Sequence, residues 1–253
     1  MLTPHNLTCE YFTNPIGLDV PQPRLSWKSS SARRGARQTA FHIIVADSPA
    51  ALEAAAAGEK PGGILWNTGK TRSSAALHIA YGGAALHAAQ RCFWRVRLWD
   101  EDNMPSAWSD TAFWEMGLLG SADWKADWIT PDWDEDTSQP QPAPLLRRGF
   151  NVKKGIAAAR VYVTSLGLYE LRLNGQRVGD GVLTPGWTSY DRRLQYQTYD
   201  VTDLLRPGEN ALGAMLGDGW YRGYMGFEGN RNLFGERLAL LLQLHITYTG
   251  GKT

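Results

Sequence analysis

The residues best suited to bind a ligand lie in two Gly-rich segments of the second half, Gly179–Tyr190 (GDGVLTPGWTSY) and Leu216–Asn232 (LGDGWYRGYMGFEGNRN). Trp187, Tyr190, Trp220 and Tyr221 supply flat apolar faces with a polar edge, and they stand among Asp and Asn oxygens. That pairing is what a sugar needs, a plane to stack a pyranose ring and acceptors for its hydroxyl pairs. Asp and Asn oxygens joined by backbone carbonyls would also suit Ca²⁺. The competing reading is that Trp187, Trp220 and Tyr221 cap a core while the glycines only make turns.

Signs of catalysis are absent. No GxSxG, HExxH, P-loop or helix-opening GxGxxG spacing occurs. With 25 acidic residues, carboxylate pairs close in sequence carry no weight for glycosidase chemistry. His5, His42, His78, His87 and His245 are scattered, and they read as structural or surface imidazoles.

These segments must be held by strands, because helical periodicity is nearly absent. One helix is predicted, over Ser48–Gly58, with Ser48 as N-cap, Pro49 as the first helical residue and Gly58 as the stop. Short runs rich in β-branched and aromatic residues place strands near Leu7–Phe12, Arg24–Trp27, Ala40–Ala46, Ile64–Thr68, Ala75–Tyr81, Cys92–Trp99 and Ala112–Met116. Seven such strands make an immunoglobulin or fibronectin type III sandwich over residues 1–120. In the strand Cys92–Trp99, Trp94, Val96 and Leu98 face one way and Phe93, Arg95, Arg97 and Trp99 the other. Residues 121–253 form a second unit, jelly-roll-like, with an exposed acidic and Pro-rich loop near 132–144 (DWDEDTSQPQPAP). Within it Asn174-Gly175 predicts a type I′ hairpin. The last residues, Tyr248–Thr253, look like a turn whose return strand is missing, so this second sandwich is expected to be truncated. The fold class is therefore all-β, with two β-sandwich domains.

Length and composition agree. At 253 residues, 43% hydrophobic and 20% charged, the chain affords real cores and has no apolar run of the ~18 residues that cross a bilayer. A net charge of +1 offers no field for a polyanion, so neither nucleic acid nor a membrane is an expected partner. Cys9 and Cys92, far apart and outside any CxxC, exclude a disulfide framework and a cysteine-held metal. The first residues show no signal peptide, so the chain reads as cytoplasmic; a removed signal would leave the same appearance, and an extracellular location stays open.

Long ordered stretches carry a family resemblance: PRLSW, LWNTGK, CFWRVRLWDEDNMPSAWSD and FWEMGLL, then ARVYVTSLGLYELRLNGQRVGDGVLTPGWTSYDRRLQYQTYDVTDLL and NALGAMLGDGWYRGYMGF. They resemble the N-terminal region of bacterial α-L-rhamnosidases of glycoside hydrolase family 78. The resemblance implies a multidomain enzyme that removes terminal α-L-rhamnose with inversion, using two glutamates in a downstream (α/α)6 barrel. The repeated amphipathic helices of that barrel do not occur in this chain, so it is expected to hold no catalytic residue and to have no activity alone. The second domain resembles the family's rhamnose-binding module, which in some members holds Ca²⁺ through an Asp-Asn pair and a later Asn. The matching positions here are Asp180-Gly181 and Asn230, with Asn232 adjacent, and Gly181 departs from the pattern. The resemblance thus implies a sugar site at Asp180, Trp187, Tyr190, Trp220, Tyr221 and Asn230, with Asp180 and Asn230 as the metal ligands. Its expected partners are L-rhamnose or a rhamnosyl glycan and the downstream catalytic domain. The alternative is a structural module that contacts that domain or a second copy in a homodimer and binds no sugar.

Overall fold

Alternation of apolar and polar residues sets both halves of the chain. The computed structural model describes residues 1–226 and 228–250. The chain divides into two units, Met1–Asp123 and Trp124–Thr253. Both are built of antiparallel sheets, and α-helix is confined among the described residues to α1 (Pro49–Ala56) and α2 (Gly219–Arg222). An all-β reading is what the structure shows.

In the first unit, β1 (Thr3–Cys9), β2 (Arg24–Ser30) and β6 (Ile79–Ala80) form one sheet. The other has the order β4 (Ile64–Asn67), β3 (Ala40–Ala46), β7 (Arg91–Trp99) and β8 (Ala112–Glu115), and β5 (Thr71–Arg72) also pairs with β3. Period two is strict in β7: Cys92, Trp94, Val96 and Leu98 are sealed, and they join Trp27, Phe41, Tyr81 and Trp114 in one core. The opposite face of the sheet is covered by α1, which buries Leu52 against Ile44, Ala46 and Phe93. The Ser48 side chain caps α1 by accepting from the N–H of Ala51, and Pro49 stands in the first turn. The segment expected as a strand over Ala75–Tyr81 is reduced to Ile79–Ala80. Gln38 accounts for part of that difference, because its side-chain amide donates to the carbonyls of Ser73 and Ala75 and holds this stretch as loop.

In the second unit, β10 (Ile156–Leu166) lies between β13 (Gln197–Asp200) and β15 (Ala239–Tyr248). The facing sheet has the order β12 (Gln176–Arg177), β11 (Leu168–Leu173), β14 (Gly208–Gly217) and β9 (Leu145–Val152). Val161, Val163 and Leu240 of one sheet meet Leu171, Leu173, Ala214 and Leu216 of the other in a shared core. The hairpin between β11 and β12 turns at Asn174 (φ 52°) and Gly175 (φ 84°), the two positive-φ positions a type I′ turn demands. Of the turn expected over Tyr248–Thr253, residues 251–253 lie outside the described residues.

Register decides where the long connections go. Leu145 of β9 pairs with Met215 near the end of β14, while Ile129 bridges to Leu240 near the start of β15. The connections 130–144 and 218–238 therefore both cross between the sheets at the same end of the sandwich. The connection 178–196 ends there as well, since Gln197 pairs with Val163 near the end of β10. Three loops thus share one end.

Both cysteines are free and sealed in the first core, and burial pushes the Cys9 thiol up and the Cys92 thiol up to about 12. Since the thiolate is the reactive form, neither should react with Ellman's reagent at pH 8 in the folded protein, and both should react in guanidinium. Rapid reaction of a thiol under native conditions would mean that the first core opens.

Candidate functional site

The structure sorts the candidate ligand residues singled out from the sequence. Tyr190 and Tyr221 belong to the core. Tyr221 is 8% exposed, its ring lies edge-on to Tyr190 at 5.3 Å, and Phe234 meets Tyr190 at 5.0 Å. Burial raises the pKa of both phenols. A Cβ at Gly235 would come within 2.1 Å of the Tyr221 hydroxyl, so this glycine is required by close approach of the backbone.

The two tryptophans are different. Trp187 and Trp220 stack with planes 6° apart and centroids 6.0 Å apart, and Trp187 is 56% exposed. The loop carrying Trp187 is fastened to β11 through the Tyr169 N–H donating to the Thr184 carbonyl and the Thr184 hydroxyl donating to the Tyr169 carbonyl, both at 2.9 Å. Gln197 adds an N–H to the Pro185 carbonyl. The result is a flat indole pair, open to solvent on one side.

Asp180 and Asn230 are both exposed, on different loops. Arg177 donates to the Gly181 carbonyl at 2.7 Å, which places a guanidinium beside Asp180. A side chain at Gly181 would crowd Thr184, with a Cβ 3.1 Å from its methyl. Asn230 directs its amide toward Glu228 at 3.4 Å, and its carbonyl accepts the Met225 N–H at 2.8 Å. Among the described residues no group of three or more His, Cys, Asp or Glu is placed to hold a metal. The donors around Asp180 fit a guanidinium better than Ca²⁺, which takes six to eight oxygens.

A buried ion-pair cluster at this end was not foreseen. Arg222, on α2, is 1% exposed, and its guanidinium is clamped by Asp218 (Nε to Oδ1, 2.7 Å) and Glu135 (Nη1 to Oε2, 2.5 Å). Burial alone would lower its pKa, but the hydrogen bonds from Glu135 and Asp218 hold it above its ordinary value. Asp218 also binds Arg231 at 3.0 Å through its second oxygen, and the side chains of Arg231 and Asn232 both donate to the Thr137 carbonyl. The acidic loop, expected to be exposed, is exposed over most of its length, but through Glu135 and Thr137 it is docked on the segment that carries Trp220. Its signal in the sequence was the i,i+4 spacing of Asp218 and Arg222; nothing in the composition pointed to Glu135 as their partner.

Family comparison fits this architecture. Residues 4–120 match the family described as Rha78A-like, N-terminal immunoglobulin domain, and residues 154–253 match the Alpha-L-rhamnosidase N-terminal domain. The chain belongs to the N-terminal region of the α-L-rhamnosidases. An α-L-rhamnosidase of Alteromonas sp. is 39% identical over 96% of this chain, and the match covers 26% of its length. The α-L-rhamnosidase structure from Dictyoglumus thermophilum superposes with a TM-score of 0.85 at 34% identity, covering 99% of this chain and 28% of that one. The structure of the Streptomyces avermitilis α-L-rhamnosidase complexed with L-rhamnose gives 0.87 at 25% identity, covering 100% of this chain and 40% of that one. This chain thus spans about a quarter of the length of the curated rhamnosidases it matches first.

Removing one partner of a buried ion pair leaves a charge unpaired in the interior. Arg222→Ala should lower unfolding free energy by about 3–5 kcal/mol in urea titration, and Glu135→Gln by about 1–2 kcal/mol, since Asp218 stays in place. A loss under about 1 kcal/mol for Arg222→Ala would show that the clamp contributes little.

Proposed function

We propose that this chain is a non-catalytic portion of an α-L-rhamnosidase, whose second sandwich binds terminal L-rhamnose or rhamnosyl glycans at its three-loop end. Hydrolysis belongs to a catalytic barrel outside this chain. The observation that carries the binding reading is the Trp187–Trp220 pair: the Trp187 indole, 56% exposed, is backed by the stacked Trp220 ring and stands on a loop fastened to β11. Rigid aromatic surfaces of this kind lose little entropy on binding a flat sugar face. Gly181 brings no side-chain oxygen and Arg177 sets a positive charge beside Asp180, which supports a binding mode that does not depend on Ca²⁺.

A second reading has its own observation. The outer face of the four-stranded sheet carries an apolar groove of about 280 Å³ along Leu145, Ala211, Gly213 and Met215, with Leu145 68% and Met215 46% exposed. Such a face suits a covering domain, which would make this unit a positioning element for the catalytic domain.

Calorimetric titration with L-rhamnose, with Ca²⁺ and with a chelator, separates the readings. The expected result is equal binding in both conditions, weakened about tenfold or more by Trp187→Ala with unchanged thermal unfolding, tenfold being 1.4 kcal/mol. No heat in either condition from the folded protein would leave the positioning role. Sustained hydrolysis of a rhamnosyl glycoside by this chain alone would overturn both.

A further inference from the structure

The docked acidic loop encloses a cavity of its own. Its limbs, residues 133–136 and 141–145, line a concavity of about 520 Å³ to which Trp133, Asp134, Glu135, Gln141, Pro142 and Leu145 contribute. Trp133 is 51% exposed and makes no ring contact among the described residues. An indole half in water on a Pro-rich loop leaves a large apolar face unused.

The loop is also built. The Asp136 carboxylate accepts from the Ser138 N–H and hydroxyl and from the Gln139 amide, and the Asp136 carbonyl accepts from the Gln141 amide at 3.0 Å. From beneath, Arg222 holds Glu135, while Arg231 and Asn232 hold Thr137. A plain connection would not require a buried arginine and two further side chains to fix its shape. Polar groups remain at the cavity: the Asp134 carboxylate makes no hydrogen bond or ion pair among the described residues, and the Gln141 amide gives its N–H inward and keeps its oxygen. A stacking plane with an unengaged carboxylate and an amide oxygen, in a preformed concavity, matches a pyranose whose C–H face lies on the indole and whose hydroxyls donate to the rim.

From this we infer that loop 133–145 is a second carbohydrate site, separate in its residues from the Trp187–Trp220 pair and taking a neutral pyranose. Trp133 is the stacking plane and Asp134 the hydroxyl acceptor. Glu135 is a positioning residue, since it acts through Arg222.

The test is a ¹H–¹⁵N spectrum of the whole chain, with the indole N–H resonances of Trp133 and Trp187 assigned through Trp133→Phe and Trp187→Phe. L-Rhamnose, D-glucose, lysine methyl ester and Ca²⁺ are titrated separately, each to saturation or to the solubility limit. The expected result is a saturable shift of the Trp133 resonance with at least one sugar. Trp133→Ala should abolish that event and leave the Trp187 response and the backbone spectrum intact, and Asp134→Asn should weaken it severalfold. A Trp133 resonance unmoved by both sugars overturns the inference, as does one moved only by lysine methyl ester or Ca²⁺, which would make this an acidic site for cations. The two proposals fail separately, because a silent Trp187 beside a responsive Trp133 removes the first site and keeps the second.

Discussion

A guanidinium sealed from solvent must be neutralised where it stands, and Arg222 is 1% exposed. Much at the loop-bearing end of the second sandwich follows from that requirement. Asp218, at the N-cap of α2 and four residues earlier, supplies one carboxylate; the other has to come from elsewhere in the chain, and Glu135 provides it. Satisfying the charge therefore ties residues 130–144 to residues 218–238, which strand register has already brought to the same end. Asp218 then recruits Arg231, and Thr137 recruits Arg231 and Asn232, so one buried cation organises two long loops that lack regular structure for most of their length.

Rigidity of this kind is what a weak-binding surface needs. A monosaccharide offers few atoms, so little of its binding energy can be spent on ordering loops. The Trp187–Trp220 pair and the Trp133 cavity both lie on segments whose backbone is fixed by hydrogen bonds to the sheets or to the Arg222 cluster. Gly179 and Gly235 serve the same end by letting backbone touch the rings of Tyr199 and Tyr221.

What could be read from the sequence was what short-range physics sets. The β7 alternation, the Ser48-capped helix and the Asn174-Gly175 turn each depend on neighbouring residues, and each appears as read. The strand expected over Ala75–Tyr81 shrank in part because the side chain of Gln38, distant in sequence, takes the Ala75 carbonyl. The aromatic residues of the two Gly-rich segments could be named but not sorted: Tyr221 packs inward and Trp187 outward on sequence contexts that look alike. Glu135 was invisible for a stronger reason. A carboxylate in a polar, Pro-rich stretch reads as solvated, and only the fold places it against a buried cation 87 positions later.

The claim at the centre of this account is that the acidic loop and the segment around Arg222 are one ordered unit. Native-state hydrogen exchange followed by mass spectrometry measures this most directly. The account predicts that peptides covering 134–142 and 218–232 exchange together, more slowly than unstructured peptides, and that Glu135→Gln accelerates both while β10 and β15 stay protected. Exchange of 134–142 at the rate of an unstructured peptide in the unsubstituted protein, beside a protected 218–232, would contradict it.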